Sequence, residues 1–497
     1  MGVLLNNLSD LTAEALQEFR KAVQNPMPTE ELQKAGITQS TGLVWYDLQV
    51  PAKQLFPVIT PLRNKIPRVS GGGGTATNWR AVTAINANSL RGFVPEGKRN
   101  GAVTTTVASR SAAYKSIGLE DTVTFEAELA AVNFEDIRAK TAQRLLWATM
   151  IEEELAILGG NNGVALGTPT APTVTVIDGG GSVPDATYNV IVVALTLYGY
   201  LASSLSGGVV GLVSVATVDG DSFTYGGGSS QQSAATSTGA IANGDDSAIR
   251  ASTPVVAGAV AYAWYVGTAG NEKLEAITTI NSVELTALAG TGQAASVITA
   301  DNSQNAYAFD GILYQAWTSG SNAYIVNQAT GTPGTGTPLT ADGVGGISEI
   351  NTLFKSLWDN YRLSPTAIYA NAQEINNITN KVLGATAVQL PFVAGQDVDG
   401  GIRVKALLNR FAMGTSPMVP VELHPYMPPG LLMACTERLP YPVTNIPNVM
   451  EMKLRRDYYQ MEWPLRKRQY ETGVYCDGVL AHYFPPSVGI IANIGNG

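Results

Sequence analysis

The chain has 497 residues, of which 45% are hydrophobic and only 14% charged, and its formal net charge is −9. That length predicts several domains around a large core, and so weakly charged a surface predicts extensive burial against copies of itself. The acidic balance argues against high-affinity nucleic-acid binding by the whole chain, no window approaches the roughly 18 apolar residues of a membrane span, and two cysteines, Cys435 and Cys476, make no disulfide framework.

Met1–Asp10 lacks the basic and apolar runs of a secretory signal. Leu11–Val23 reads as a short amphipathic helix stopped at Asn25-Pro26-Met27-Pro28, so residues 1–42 are expected to be an N-terminal arm. Residues 43–118 are expected to be extended: prolines 51, 57, 61 and 67 exclude a long helix, and Val103–Val107 is β-prone. The pattern predicts a two-stranded ribbon with its loop at Pro95–Gly101, hinged at Gly71–Gly74. Such a ribbon is marginal alone and must lie on a neighbour.

Residues 119–166 carry the clearest helix. Phe134, Ile137, Thr141, Leu145, Ala148, Ile151, Leu155 and Leu158 step at three or four residues from an N-cap at Asn133 to Gly159-Gly160. At about 1.5 Å per residue the helix spans on the order of 40 Å.

Residues 167–304 form a Gly/Ser/Thr-rich guest block. From Thr168 to Gln304 there are two basic and ten acidic residues, a net of −8, while the rest of the chain nearly balances. Short strands at Thr187–Leu197, Val260–Gly267 and Leu274–Ile280 suggest a β-sandwich. Because the block interrupts the host, its two ends should lie close together. Residues 305–497 read as a mixed α/β body. Helices are predicted at Gly346–Tyr361 and Ala372–Leu383, and strands at Thr366–Ala370, Ile402–Leu407, Val419–His424, Leu431–Thr436, Met450–Tyr459 and Gly473–Tyr483.

Charge divides the host. From Arg68 to Lys115 seven basic residues face the single acid Glu96, a net of +6; Leu119–Leu158 holds nine acids and three bases, a net of −6. This opposition predicts pairing across a subunit boundary of Arg80, Arg91, Lys98, Arg99, Arg110 and Lys115 with Glu120, Glu126, Glu128, Glu135 and Asp136. One exposed pair contributes only about 0–1 kcal/mol, but many repeats could steer assembly.

The order of arm, loop, long helix, α/β region and closing β region resembles that of tailed-phage major capsid proteins of the Hong Kong 97-type fold. The resemblance rests on Ile151–Gly163 (IEEELAILGGNNG), Ser364–Gly384 (SPTAIYANAQEINNITNKVLG) and Tyr470–His482 (YETGVYCDGVLAH). Tyr188–Gly199 (YNVIVVALTLYG) and Tyr262–Gly267 (YAWYVG) resemble an immunoglobulin- or fibronectin-III-like insertion. The resemblance implies an α+β Hong Kong 97-like fold (N-arm, extended loop, spine helix, peripheral and axial domains) carrying an all-β Ig-like sandwich on its outer surface. It further implies hexamers and pentamers in an icosahedral shell around double-stranded DNA, held without sequence specificity. A separate scaffolding protein, a portal and a decoration protein are the implied partners, with assembly in the host bacterial cytoplasm. In some members a loop lysine is cross-linked to a neighbour's asparagine. Lys98 sits at such a tip, but no partner asparagine or acid is legible.

No catalytic, cofactor-binding or metal-binding residue is expected. His424, His482, Cys435 and Cys476 lack zinc spacing and read as core residues. Gly71–Gly74 matches no phosphate-binding loop. Glu152-Glu153-Glu154 point around a helix rather than converge, so they are expected to be a solvated or partner-facing patch. Arg455-Arg456 and Arg466-Lys467-Arg468 suit either DNA phosphates or intersubunit pairing. Three alternatives stay open: a non-viral encapsulating shell protein of the same fold, a surface adhesin or carbohydrate-binding protein, and a β-rich hydrolase. The scarcity of histidine counts against the last.

Overall fold

The computed structural model describes residues 57–85, 93–102, 104–132, 135–242, 244–384, 403–412, 417–439 and 448–496. The expected arm with its helix at Leu11–Val23, the helix cap Asn133 and the candidate contact residue Arg91 lie outside them. The first described elements are helix α1 (Pro61–Lys65), whose Pro61 suits a first turn, and strand β1 (Arg68–Ser70). Next comes the ribbon of β2 (Ala76–Ile85) and β3 (Thr105–Ala113), antiparallel with Ala76 opposite Ala113 and Ile85 opposite Thr105. Gly71 at its base is tied by its amide to Leu454 O at 2.6 Å, and the Tyr114 hydroxyl occupies the space a Cβ there would need. β4 (Lys115–Thr124), α2 (Phe125–Ala131) and the long helix α3 (Ile137–Gly159) complete this part.

The guest block holds β5 (Thr173–Ile177), β6 (Thr187–Leu195), α4 (Leu197–Ala202), β7 (Leu212–Ala216), β8 (Ser222–Gly226), β9 (Thr236–Ala240), β10 (Ala248–Ser252), β11 (Ala261–Gly267), β12 (Lys273–Thr278) and β13 (Ser282–Leu285). Two antiparallel sheets, β13-β10-β5 and β12-β11-β6-β9, enclose a common core. Val190, Val192 and Ala194 of β6 and Tyr262, Trp264 and Val266 of β11 meet Ile249 and Ala251 of β10. The alternate residues Ile191, Val193, Leu195, Ala261, Ala263 and Tyr265 face a second core with Val209, Ala295 and Ile298. Burial on both faces explains why β6 and β11 read as continuous apolar runs rather than alternating ones. The first two strands, β5 and β6, fall in opposite sheets, whereas in an immunoglobulin domain the first two share one.

The ends of the block are stitched together. Asn305 N donates to Asn161 O at 2.8 Å, Asn161 Nδ2 to Ser303 O at 2.9 Å, and Leu166 N to Ser303 Oγ at 2.9 Å. The block is also keyed into the host. Leu197 packs on Gly159, where a Cβ would come within 2.2 Å of its side chain. The buried Tyr314 hydroxyl accepts from Leu197 N at 3.0 Å and donates to Gly258 O at 3.2 Å.

The remaining elements are α5 (Ile312–Trp317), β14 (Tyr324–Asn327), α6 (Ser348–Tyr361), β15 (Ala367–Ala370), α7 (Ala372–Gly384), β16 (Ala406–Leu408), β17 (Met418–Leu423), β18 (Leu432–Cys435), β19 (Met450–Glu462), β20 (Gln469–His482) and β21 (Val488–Ala492). A mixed six-stranded sheet runs β14-β21-β18-β15-β17-β16. Period-two alternation splits its side chains. Ile368, Ala370, Leu432 and Ala434 meet α6 and α7, while Tyr369, Met433, Cys435 and Ile490 face a core shared with the end of α3 and with α5. The second host sheet, β1-β19-β20-β4, carries α3 on one face, where Thr149 is fully buried.

Candidate functional site

The C-terminal half of α3 runs into the interior. Glu153, Glu154, Ala156, Ile157, Leu158 and Gly159 are all buried. This corrects the expected solvated patch at Glu152-Glu153-Glu154: Glu153 and Glu154 are 0% exposed. A helix buried all round takes its carboxylates with it, and buried charges must then be paired and hydrogen-bonded.

Each glutamate has its own partners, because successive helical residues point about 100° apart. Glu154 Oε1 and Oε2 accept the Leu62 and Arg63 amides at 2.9 and 2.7 Å. These are first-turn amides of α1, whose N-cap Thr60 makes no side-chain cap. Glu154 thus caps α1 from another helix, supplying an anion where orphan N–H groups concentrate. His424, after β17, donates to the same carboxylate from Nε2 at 2.7 Å, while its Nδ1 accepts the Tyr426 amide at 3.3 Å, a pattern that assigns the proton to Nε2.

Glu153 binds Arg63 Nε at 3.1 Å and Arg68 Nη1 at 2.5 Å, and it accepts from the Tyr458 hydroxyl. Arg68 reaches on to Asp457 at 2.5 Å, and both guanidinium groups lie over the Tyr458 ring, 5.2 and 4.9 Å from its centre. Glu152 turns to the guest block, accepting from Tyr198 Oη at 2.9 Å; burial pushes its carboxyl above the usual range, against the pull of that hydrogen bond. The arrangement is a clasp. It ties α1, β1, α3, β19 and the segment after β17 together at the base of the ribbon. Its two central carboxylates, Glu153 and Glu154, are fully buried and hydrogen-bonded to these donors.

The candidate contact residues spread differently. Arg80, Lys98, Arg99 and Arg110 are exposed and make no ion pair among the described residues. Lys115 donates to Ala306 O at 2.5 Å, Glu120 accepts from the Tyr475 hydroxyl, and Glu126 pairs with Arg468 at 2.8 Å. Those three therefore have partners in their own chain that the charge-opposition argument did not identify. Glu128 and Glu135 are half-buried and Asp136 is exposed. In the basic segment, Arg456 lies over the Tyr459 ring at 4.0 Å and Arg455 is 3.6 Å from Asp477, while Arg466 and Lys467 are exposed.

Both histidines are buried and far apart in role: His482 Nε2 lies 3.0 Å from Ser487 Oγ. Burial pushes both thiols up, Cys476 to about 12. Among the described residues no group of three or more His, Cys, Asp or Glu could hold a metal ion, and no helix is long and apolar enough to cross a membrane. Arg63 and Tyr458 were missed from sequence; His424, read there as a core residue, is buried, but its partner Glu154 was not identified. The available signal was a pair of arginines, Arg63 and Arg68, preceding an acidic triplet.

No protein-family model and no curated protein matches the chain. Among solved structures it is similar to the capsid of Myoviridae phage XM1 (9% identity, TM-score 0.41, covering 93% of this chain and 100% of that one). It is similar to the capsid of cyanophage A-1(L) (12%, 0.41, 92% and 98%). It is also similar to the SrpI encapsulin of Synechococcus elongatus PCC 7942 (8%, 0.38, 95% and 96%).

Proposed function

We propose that this chain is a major capsid protein of the tailed-phage type, a shell subunit that works through contacts with copies of itself. The ribbon carries the reading. Its ten-residue strand β2 spans about 33 Å, and Thr105, Thr106 and Val107 of β3 are exposed in succession, so both faces are open. Val82 is 62%, Val107 48% and Phe93, in the connecting segment, 96% exposed. Two strands with exposed apolar side chains need a surface to lie on. The clasp fixes the ribbon's base within its own subunit, so the open faces are available to a neighbour. In a shell that neighbour is another copy.

On this reading the subunits form hexamers and pentamers of an icosahedral virion capsid assembled in a bacterial cytoplasm with a scaffolding protein and a portal. Arg80, Lys98, Arg99 and Arg110 steer the ribbon onto acidic surface of the next subunit, and Arg466 and Lys467 are available to phosphates of packaged double-stranded DNA. The sandwich is an Ig-like module in architecture, with a strand order of its own, on the outer surface. Negative-stain microscopy of the expressed protein should show shells, capsomers or sheets. Val82→Asp with Val107→Asp should abolish them while leaving the subunit folded, and Arg99→Glu should slow assembly. A clean monomer under all conditions would sink the reading.

A further inference from the structure

Two Asn-Gly dipeptides lie wholly within the described residues, Asn100-Gly101 and Asn162-Gly163, and both are exposed. The two glycine amides are held by different acceptors. Asn100 belongs to the irregular stretch 93–102, exposed throughout, and the Gly101 amide donates to Asn100 Oδ1 at 2.8 Å. A carbonyl bond adds about 1.23 Å, so the Gly101 nitrogen lies within about 4 Å of Asn100 Cγ. Glycine presents no Cβ to hinder approach. At the second dipeptide the Asn162 and Gly163 amides both donate to Asp310 Oδ1, at 2.7 and 2.8 Å. Asn162 O also accepts from Gln304 Nε2 at 3.1 Å.

We propose that Asn100 is a site of spontaneous, backbone-assisted deamidation and that the Asp310 contacts protect Asn162 from it. Hydroxide removes the Gly101 amide proton, and the nitrogen attacks Asn100 Cγ. The N–Cγ bond forms, the Cγ–Nδ2 bond breaks, and ammonia leaves after taking a proton from water. Water then opens the cyclic imide at either carbonyl, giving aspartate or isoaspartate. No electrons are transferred, and water is the only co-reactant. The product places a carboxylate beside Lys98 and Arg99, taking the tip 96–101 from a net of +1 to zero. Isoaspartate also adds one carbon to the backbone. If the ribbon contacts a neighbouring subunit, this ageing reaction weakens the contact, but the chemistry does not depend on that reading.

At Gly163 the nitrogen must first leave a charged acceptor, which lowers its reactive population about tenfold or more. The test is to incubate the intact chain at mildly alkaline pH in heavy-oxygen water and follow label uptake by peptide mass spectrometry. Label should enter at residue 100, as both aspartyl and isoaspartyl products, about tenfold or more faster than at residue 162. Gly101→Ala should slow uptake at residue 100 without affecting residue 162, and Asp310→Ala should raise uptake at residue 162. Equal rates at the two sites in the unaltered protein would overturn the proposal. So would no uptake at residue 100 under conditions that deamidate a linear peptide of residues 96–105.

Discussion

Replacing Glu154 by alanine probes the clasp most directly. The change removes the acceptor for three donors: the Leu62 amide at 2.9 Å, the Arg63 amide at 2.7 Å and His424 Nε2 at 2.7 Å. Leu62 and His424 are 3% and 0% exposed, so water cannot readily replace the carboxylate there, whereas Arg63 is only half-buried. An unsatisfied buried donor costs about 1–3 kcal/mol. Two fully buried donors plus one partly relieved give about 3–5 kcal/mol. Unfolding of so long a chain need not be two-state, so the assay should be local. Hydrogen exchange of the peptide spanning 61–66 should accelerate by about a hundredfold, the equivalent of about 3 kcal/mol. Glu154→Gln should lose less, because one oxygen still accepts while its new NH2 group meets a donor. If the alanine variant leaves exchange at 61–66 unchanged, Glu154 does not cap α1 and the clasp argument fails.

Glu152 has a raised folded pKa through burial, so its contribution is fully present below the unfolded value near 4.5 and is lost as pH rises through the folded pKa. Glu152→Gln should therefore be more stable than the parent at neutral pH in thermal melts, with the difference vanishing below about pH 4.5. His482 is the opposite case, pushed down from 6.5 to about 4 by burial. Its stability is present above 6.5 and lost as pH falls from 6.5 toward 4, a cost of up to about 3 kcal/mol. His482→Gln should flatten that part of the acid-unfolding profile. A double-mutant cycle of Arg63→Ala and Glu153→Ala, read by hydrogen exchange of the same 61–66 peptide, should give a coupling of about 1–3 kcal/mol; a value near zero would mean the contact adds nothing beyond the Tyr458 and Arg68 bonds. Gly159→Ala, which forces Leu197 to move, should destabilise by about 1–3 kcal/mol.

Elements with strong periodicity were legible in sequence. The apolar steps from Ile137 to Leu158 mark α3, and those from Ile350 to Leu357 mark α6. The runs VIVVAL and AYAWYV mark strands buried on both faces. Boundaries were less legible: β19 extends to Glu462 and β20 begins at Gln469, because the long hairpin carries exposed polar residues that pairing alone keeps in strand. The clasp was misread because a charge in sequence has no direction. Arg63 lies 90 residues before Glu153, and His424 lies 270 after Glu154.

By itself the sequence determined the periodic elements, the acidic guest block and its place after the long helix, and the basic character of the ribbon, since these follow from local spacing and composition. Tertiary structure alone decided that three adjacent glutamates would serve three different surfaces, one of them the N-terminus of a remote helix. It also decided that the guest block would lock onto the host through Leu197, Tyr198 and Tyr314. The physical reason is the same in both cases. Burial removes water, and a charge or hydroxyl without water is held by whichever partner the packing of distant segments brings within hydrogen-bond reach.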